Sequence, residues 1–138
     1  MSKVVLGVVV LGVALAGYGY WNSTRSHAPV CFTNETYDTA LAANTGDGKP
    51  LVVVMSATWC PPCQAMKKEV WTDSSVESWI AANAKAIYVD VDQQGAAAQA
   101  CNVSGIPAII VFKGGREVSR QVGYMDAGQL IGWLDRVK

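Results

Sequence analysis

The chain has a single histidine, two phenylalanines and no excess of either charge, with eleven Lys and Arg against eleven Asp and Glu in 138 residues. Lys3 and Arg25 fall within the first 25 positions, so from residue 26 onward nine basic residues face eleven acidic ones, a balance of minus two. Proteins that hold phosphate backbones do so with clustered Lys and Arg, and no basic stripe interleaved with aromatics occurs here. Nucleic acid is excluded as a partner. Thiolate and imidazole ligands are equally sparse: besides Cys60 and Cys63 there are only the isolated Cys31, Cys101 and His27. A structural zinc site needs four ligands, generally a second paired set. Haem attachment needs a histidine after the second cysteine, and residue 64 is Gln. Internal repeats are absent, and low complexity is confined to an alanine cluster near residue 97.

There is one long hydrophobic run. Residues 4–21, from Val4 to Trp21, carry no charge, and Lys3 precedes them. About 20 apolar residues cross a bilayer, so eighteen are just sufficient. Tyr18, Tyr20 and Trp21 gather at the far end, where an interfacial aromatic belt would lie. A membrane anchor and a cleaved signal peptide both fit, since Ala14-Leu15-Ala16 makes a small-x-small cleavage site. The length of the run and the aromatics after Ala16 favour the anchor; either reading exports the rest of the chain. Gly7, Gly12 and Gly17 recur every five residues, which does not hold one helical face and makes no dimerisation stripe. Residues 22–29 are small and polar and read as a tether, leaving 30–138 as one domain.

Within that domain the most informative segment is Ala57-Thr-Trp-Cys-Pro-Pro-Cys-Gln-Ala-Met66. Cys60 and Cys63 follow the apolar run Leu51–Met55, whose length and lack of polar residues mark a strand buried on both faces. A helical pattern comes next. Side chains at i and i+3 of a helix lie about 5–6 Å apart, close enough to make and break a disulfide, and a helix N-terminus favours a thiolate at the first cysteine. A strand delivering CxxC to a helix start is a redox centre. The rivals are a CxxC metal carrier, for copper, without redox turnover, and a plain structural disulfide. Pro61 and Pro62 have no N–H to offer the Cys60 thiolate, and the pre-proline restriction places the helix start at Pro62.

The remaining elements follow from periodicity and turn chemistry. Val30–Phe32 reads as a brief strand, and Thr33 or Asn34 as the cap of a helix through Tyr37, Ala40, Leu41 and Asn44, closed by Thr45–Gly48. Asp73-Ser74 starts a helix in which Val76, Trp79 and Ile80 share a face. A strand over 86–91 and a helix over 95–101 come next, then a strand over 108–112. Gly114-Gly115 turns that strand into 117–122 as a hairpin, and Asp126 caps a last helix bearing Leu130, Ile131, Trp133 and Leu134. The order β-α-β-α-β-α-β-β-α implies an α/β fold with a mixed sheet and helices on both faces. Lys67-Lys68 reads as a solvated helix face, Trp79 and Trp133 as core, and Asp90 with Asp92 as a structural pair.

Trp59-Cys60-Pro61-Pro62-Cys63, Asp90-Val91-Asp92, Gly105-Ile106-Pro107, and Gly114-Gly115 with Gly123 together resemble a thioredoxin-fold protein, in that family's order and approximate spacing. The resemblance spans 30–138. Residues 66–80 are further similar to the periplasmic C-terminal domain of the bacterial transmembrane thiol:disulfide interchange reductase. It implies that Cys60, as the exposed thiolate, attacks a substrate disulfide and that Cys63 resolves the mixed disulfide. Pro107 matches the family's cis-proline, packed against the disulfide and offering backbone to the substrate, with Trp59, Pro61, Pro62 and Ile106 around that contact. Two positions depart from the pattern. Val54 stands where the family usually carries a buried aspartate, six residues before Cys60, and Tyr88 where a lysine often partners it. The resolving thiol thus lacks its usual base, and Glu69 is too far along the helix to take the role.

The resemblance implies an envelope protein-disulfide oxidoreductase with no bound cofactor, its redox group being the Cys60–Cys63 pair. The finer likeness favours a reductase drawing electrons from a membrane donor protein, with oxidase and isomerase as the nearest variants. The expected location is the bacterial inner membrane, single-pass with the domain in the periplasm, or the soluble periplasm after cleavage. Cys31 and Cys101 are candidates for a second disulfide, alongside regulation and simple packing as small apolar groups.

Overall fold

The computed structural model describes residues 29–138. The anchor or signal segment expected over 1–21 and all of the 22–29 tether but Pro29 lie outside the described residues, as does His27. Among the described residues, no helix is long and apolar enough to cross a membrane.

The elements are α1 (Tyr37–Asp47), β1 (Leu51–Ser56), α2 (Pro61–Glu69), α3 (Ser74–Asn83), β2 (Lys85–Asp90), α4 (Gly95–Ala100), β3 (Ala108–Lys113), β4 (Arg116–Val122) and α5 (Ala127–Val137). The strands form one sheet in the order β2-β1-β3-β4. β1 runs parallel to β2 and antiparallel to β3, which pairs antiparallel with β4. All six residues of β1 are buried, because alternate side chains feed two cores. Val52 and Val54 face Met66, Val76, Ile80, Leu130 and Leu134, from α2, α3 and α5. Leu51, Val53 and Met55 face Tyr37, Ala40 and Ala97, from α1 and α4. Helices therefore cover both faces, as the unbroken apolar run of β1 requires.

Val30–Phe32 is not a strand. Thr33 N donates to Ala86 O at 2.9 Å, but Cys31 and Phe32 turn inward onto the core, and Phe32 stacks at 5.1 Å from Trp71 and 5.3 Å from Tyr88. Side-chain packing outweighs β-propensity in so short a segment. The cap of α1 is Thr36, not Thr33 or Asn34; its side chain accepts from Thr39 N, and Gly48 ends the helix at φ 66°. The Gly114-Gly115 turn forms as expected, with φ of 57° and 73°, values that disfavour any side chain. Trp133 is 6% exposed, whereas Trp79 is only half-buried, its indole Nε1 donating to Asp135 Oδ1 at 2.9 Å.

Asp126 caps α5 in a reciprocal box: Gln129 N donates to Asp126 Oδ1 at 2.8 Å, and Asp126 N donates to Gln129 Oε1 at 3.0 Å. Asp126→Ala is expected to lower stability by about 1 kcal/mol, read from the urea midpoint at unchanged slope.

Three surface carboxyls are held below their ordinary values. Ser75 hydroxyl and amide donate to Asp73, the Trp79 indole and Lys138 to Asp135, and the Arg120 guanidinium to Glu117. A lowered folded-state value stabilises the fold above the unfolded-state value, and that contribution is lost as pH falls through the folded one. The urea midpoint is therefore expected to stay flat from pH 7 to about 5 and to fall below about pH 4.

Candidate active site

The site lies at the end of β1, where the chain leaves the sheet through Ala57-Thr58-Trp59 and enters α2. Cys60 is the N-cap of α2, with φ −91° and ψ 107°, and its carbonyl accepts the first helical bond from Gln64 N at 3.0 Å. The extended backbone at Cys60 follows from Pro61. The helix starts at Pro61 rather than Pro62, because the ring of Pro61 already holds its φ at a helical value. Both prolines are exposed. Of the first three helical residues only Cys63 has an N–H.

Cys60 and Cys63 form a disulfide with Cα atoms 5.2 Å apart. Cys63 is 1% exposed, and Cys60, expected to be the exposed cysteine, is 3% exposed. Ala57, Val91 and Ile106 close over the pair. Cys60 Sγ lies 3.8 Å from Ile106 O, so the 103–107 segment is brought against the sulfur that leads the helix. The Ile106–Pro107 peptide is cis. Pro107 is buried and anchored by its carbonyl, which accepts from Gly123 N at 2.8 Å, while Ile106 is half-buried.

Trp59 is 66% exposed yet fixed in place, its Nε1 donating to Asp92 Oδ2 at 2.7 Å. With Val91, Val103, Gly105 and Ile106 it lines a cleft of about 520 Å³ beside the disulfide. Sequence reasoning missed this role for Asp92, since a hydrogen bond across 33 positions leaves no local signal. Asp90 is structural in the way its spacing suggested: its Oδ1 accepts from the amides of Asp92 and Gln93 at 2.9 and 3.3 Å.

Val54 is buried in the apolar cluster, and Glu69 is exposed at the far end of α2. Tyr88 pairs its hydroxyl with that of Ser56, which is 1% exposed. Burial pushes the Tyr88 phenol above its ordinary value. Lys67 Nζ sits 5.1 Å from the centroid of the same ring, a cation–π placement.

Cys31 and Cys101 are free thiols. A bridge between them is ruled out by the sheet: Cys31 packs with the α2/α3/α5 core and Cys101 with the α1/α4 core. The Cys31 S–H points at Trp71 O at 3.6 Å, and burial pushes its thiol up to about 11. Among the described residues, no three His, Cys, Asp or Glu side chains cluster as metal ligands.

The family model described as a thioredoxin-like domain matches residues 37–138. Thioredoxin-2 of Saccharomyces cerevisiae is 40% identical over 87 residues, covering 63% of this chain and 77% of its own. The thiol:disulfide interchange protein DsbD of Actinobacillus pleuropneumoniae is 30% identical over 99 residues, 65% of this chain but 16% of its own length. The crystal structure of thioredoxin NaTrxh from Nicotiana alata superposes with a TM-score of 0.61 at 24% identity, over 75% of this chain and 86% of its own, a likeness of fold.

Proposed function

We propose that this chain, which belongs to the thioredoxin-like family and is a thiol–disulfide oxidoreductase, works as a reductase of protein disulfides in the bacterial cell envelope. The observation that carries the reading is the Cys60–Cys63 disulfide at the start of α2, with the Ile106–Pro107 segment laid against Cys60. The reaction needs no bound cofactor, because the two sulfurs are themselves the redox group. In the reduced protein Cys60 attacks a client disulfide as thiolate, forming a mixed disulfide, and Cys63 attacks Cys60 to release the reduced client. Trp59, Pro61, Pro62, Ile106 and Pro107 form the surface on which the client chain lies.

Residues 4–21 anchor the chain in the inner membrane, residues 22–29 tether it, and the 30–138 domain faces the periplasm. What supports this is the uncharged run with its aromatic end, together with the likeness to DsbD. That likeness also supports a membrane protein as electron donor. Cleavage after Ala16 would instead release the domain into the periplasm; the mass of the mature chain in the membrane fraction distinguishes the two.

The deciding experiment is a redox titration of the full chain following the Cys60–Cys63 couple. A reductase is expected near −270 mV, roughly the value of thioredoxin, whereas a potential near about −120 mV marks an oxidant. A chain with no reversible couple that binds copper stoichiometrically overturns the redox reading in favour of a metal carrier.

A further inference from the structure

The resolving step has no carboxylate where the family pattern puts one, since Val54 lies inside an apolar cluster. Behind α2, however, is a second cleft of about 280 Å³, lined by Ala57, Gln64, Lys67, Tyr88 and Asp90 among others. Ala57 also belongs to the apolar cluster that encloses the two sulfurs, and Gln64 comes directly after Cys63 in α2. Gln64 Nε2 donates to Ala57 O at 2.9 Å, which ties the residue after Cys63 to the one shared by the cleft and the disulfide cluster. The cleft therefore shares Ala57 with the enclosure of the two sulfurs and holds one carboxylate in its lining, that of Asp90.

Asp90 is that carboxylate. Its Oδ1 is occupied by the amides of Asp92 and Gln93, which fixes the group, while its Oδ2 takes no hydrogen bond among the described residues. β1–β2 pairing sets Asp90 opposite Ser56, the residue before Ala57. Cys60 is the disulfide partner of Cys63, the other titratable or charged groups lining the cleft are Lys67 from α2 and Tyr88 from β2, and Asp92 follows in the turn after β2. The 103–107 segment over the disulfide contributes none. Burial holds the Tyr88 phenol above its ordinary value, so it keeps its proton, and Lys67 is placed over the Tyr88 ring. Asp92 is engaged with Trp59.

We propose that Asp90 is the proton acceptor of the resolving step, reached from Cys63 through water in this cleft. The proposal rests on the dithiol turnover described above. Cys63 S–H gives its proton to a solvent molecule, which passes one to Asp90 Oδ2. The electron pair left on Cys63 Sγ forms the bond to Cys60 Sγ. The Cys60–client S–S bond breaks, its pair leaving on the client sulfur, which takes a proton from solvent. The protein dithiol is oxidised by two electrons and the client disulfide reduced by two.

The test is a rapid-quench reaction of the reduced full chain with an aromatic disulfide, 5,5′-dithiobis(2-nitrobenzoate), with peptide mass spectrometry following the Cys60 adduct by itself. Asp90→Asn keeps an oxygen for the turn amides and removes the base. The adduct is expected to decay at least about tenfold more slowly at pH 7. Its decay rate should become first order in hydroxide, with Asp90→Glu recovering part of the loss. A carboxylate acting only through its field would give the opposite sign, because its removal makes the Cys63 thiol easier to ionise. Decay as fast as or faster than in the unmodified chain therefore overturns the proposal while leaving the oxidoreductase reading intact. An unmodified chain whose Cys60 adduct forms but is never cleared by Cys63 overturns both. Formation of the adduct and the circular dichroism spectrum report the fold; if Asp90→Asn fails there, Asp90→Ser, whose hydroxyl also accepts from turn amides, replaces it.

Discussion

Cys60→Ser is expected to abolish disulfide reduction, lowering the turnover of a protein substrate such as insulin by several orders of magnitude, to the rate of the reductant alone. A serine hydroxyl is almost wholly un-ionised at neutral pH, whereas a thiolate is the attacking species in disulfide exchange. Cys63→Ser is expected to behave differently. It keeps the first attack and loses the second, so a mixed disulfide accumulates on Cys60 and is released by dithiothreitol. The two sulfurs differ little in burial, at 3% and 1% exposed. What separates them is position, since Cys60 stands at the helix cap beside exposed Trp59 and against Ile106 O, while Cys63 lies one turn inside α2. Mass spectrometry of the intact trapped species checks the assignment. A Cys63→Ser chain that turns over like the unmodified one would sink the two-cysteine mechanism.

The largest loss of stability is expected from Trp71→Ala. Trp71 is fully buried where α2 gives way to α3, its ring tilted at 60° to Phe32 with centroids 5.1 Å apart. Its amide closes the end of α2 by donating to Met66 O at 2.9 Å. Truncating a buried tryptophan costs about 3–5 kcal/mol, a large share of the roughly 5–15 kcal/mol of a whole domain. With a urea slope of about 1–3 kcal/mol/M, the midpoint should fall by more than about 1 M, and Trp71→Phe should recover part of it. A loss below about 1 kcal/mol would mean that the cluster collapses around the missing ring. Because Met66 and Trp71 fix α2 on the sheet, Trp71→Ala should also loosen the cap at Cys60 and slow disulfide exchange.

Much of the architecture is legible because its causes are local. The unbroken run of β1, the paired glycines at 114–115 and the capping aspartates Asp73 and Asp126 act through neighbours a few residues away, and each stands where its spacing places it. The α1 start is misplaced because Thr33, Asn34 and Thr36 are all good caps within one turn, and only tertiary packing of Phe32 selects among them. Val30–Phe32 has strand-forming residues but hydrogen-bonds the sheet at Thr33 alone, and burial of Cys31 and Phe32 decides its path. Trp79 has the spacing of a core residue, yet α5 offers it Asp135, and its indole stays half in solvent.

The sequence by itself determined the chemistry: two thiols three positions apart at a strand-to-helix junction, with prolines that set the cap, make a dithiol centre through covalent connectivity and helical periodicity alone. The tertiary structure decided what surrounds that centre. Trp59 meets Asp92 across 33 positions and Cys60 meets Ile106 across 46, and the sheet sends Cys31 and Cys101 to opposite cores. Such contacts depend on which strands pair and which helix lies on which face. That order is set by burying both faces of one sheet at once, a property of the whole chain that no short window carries.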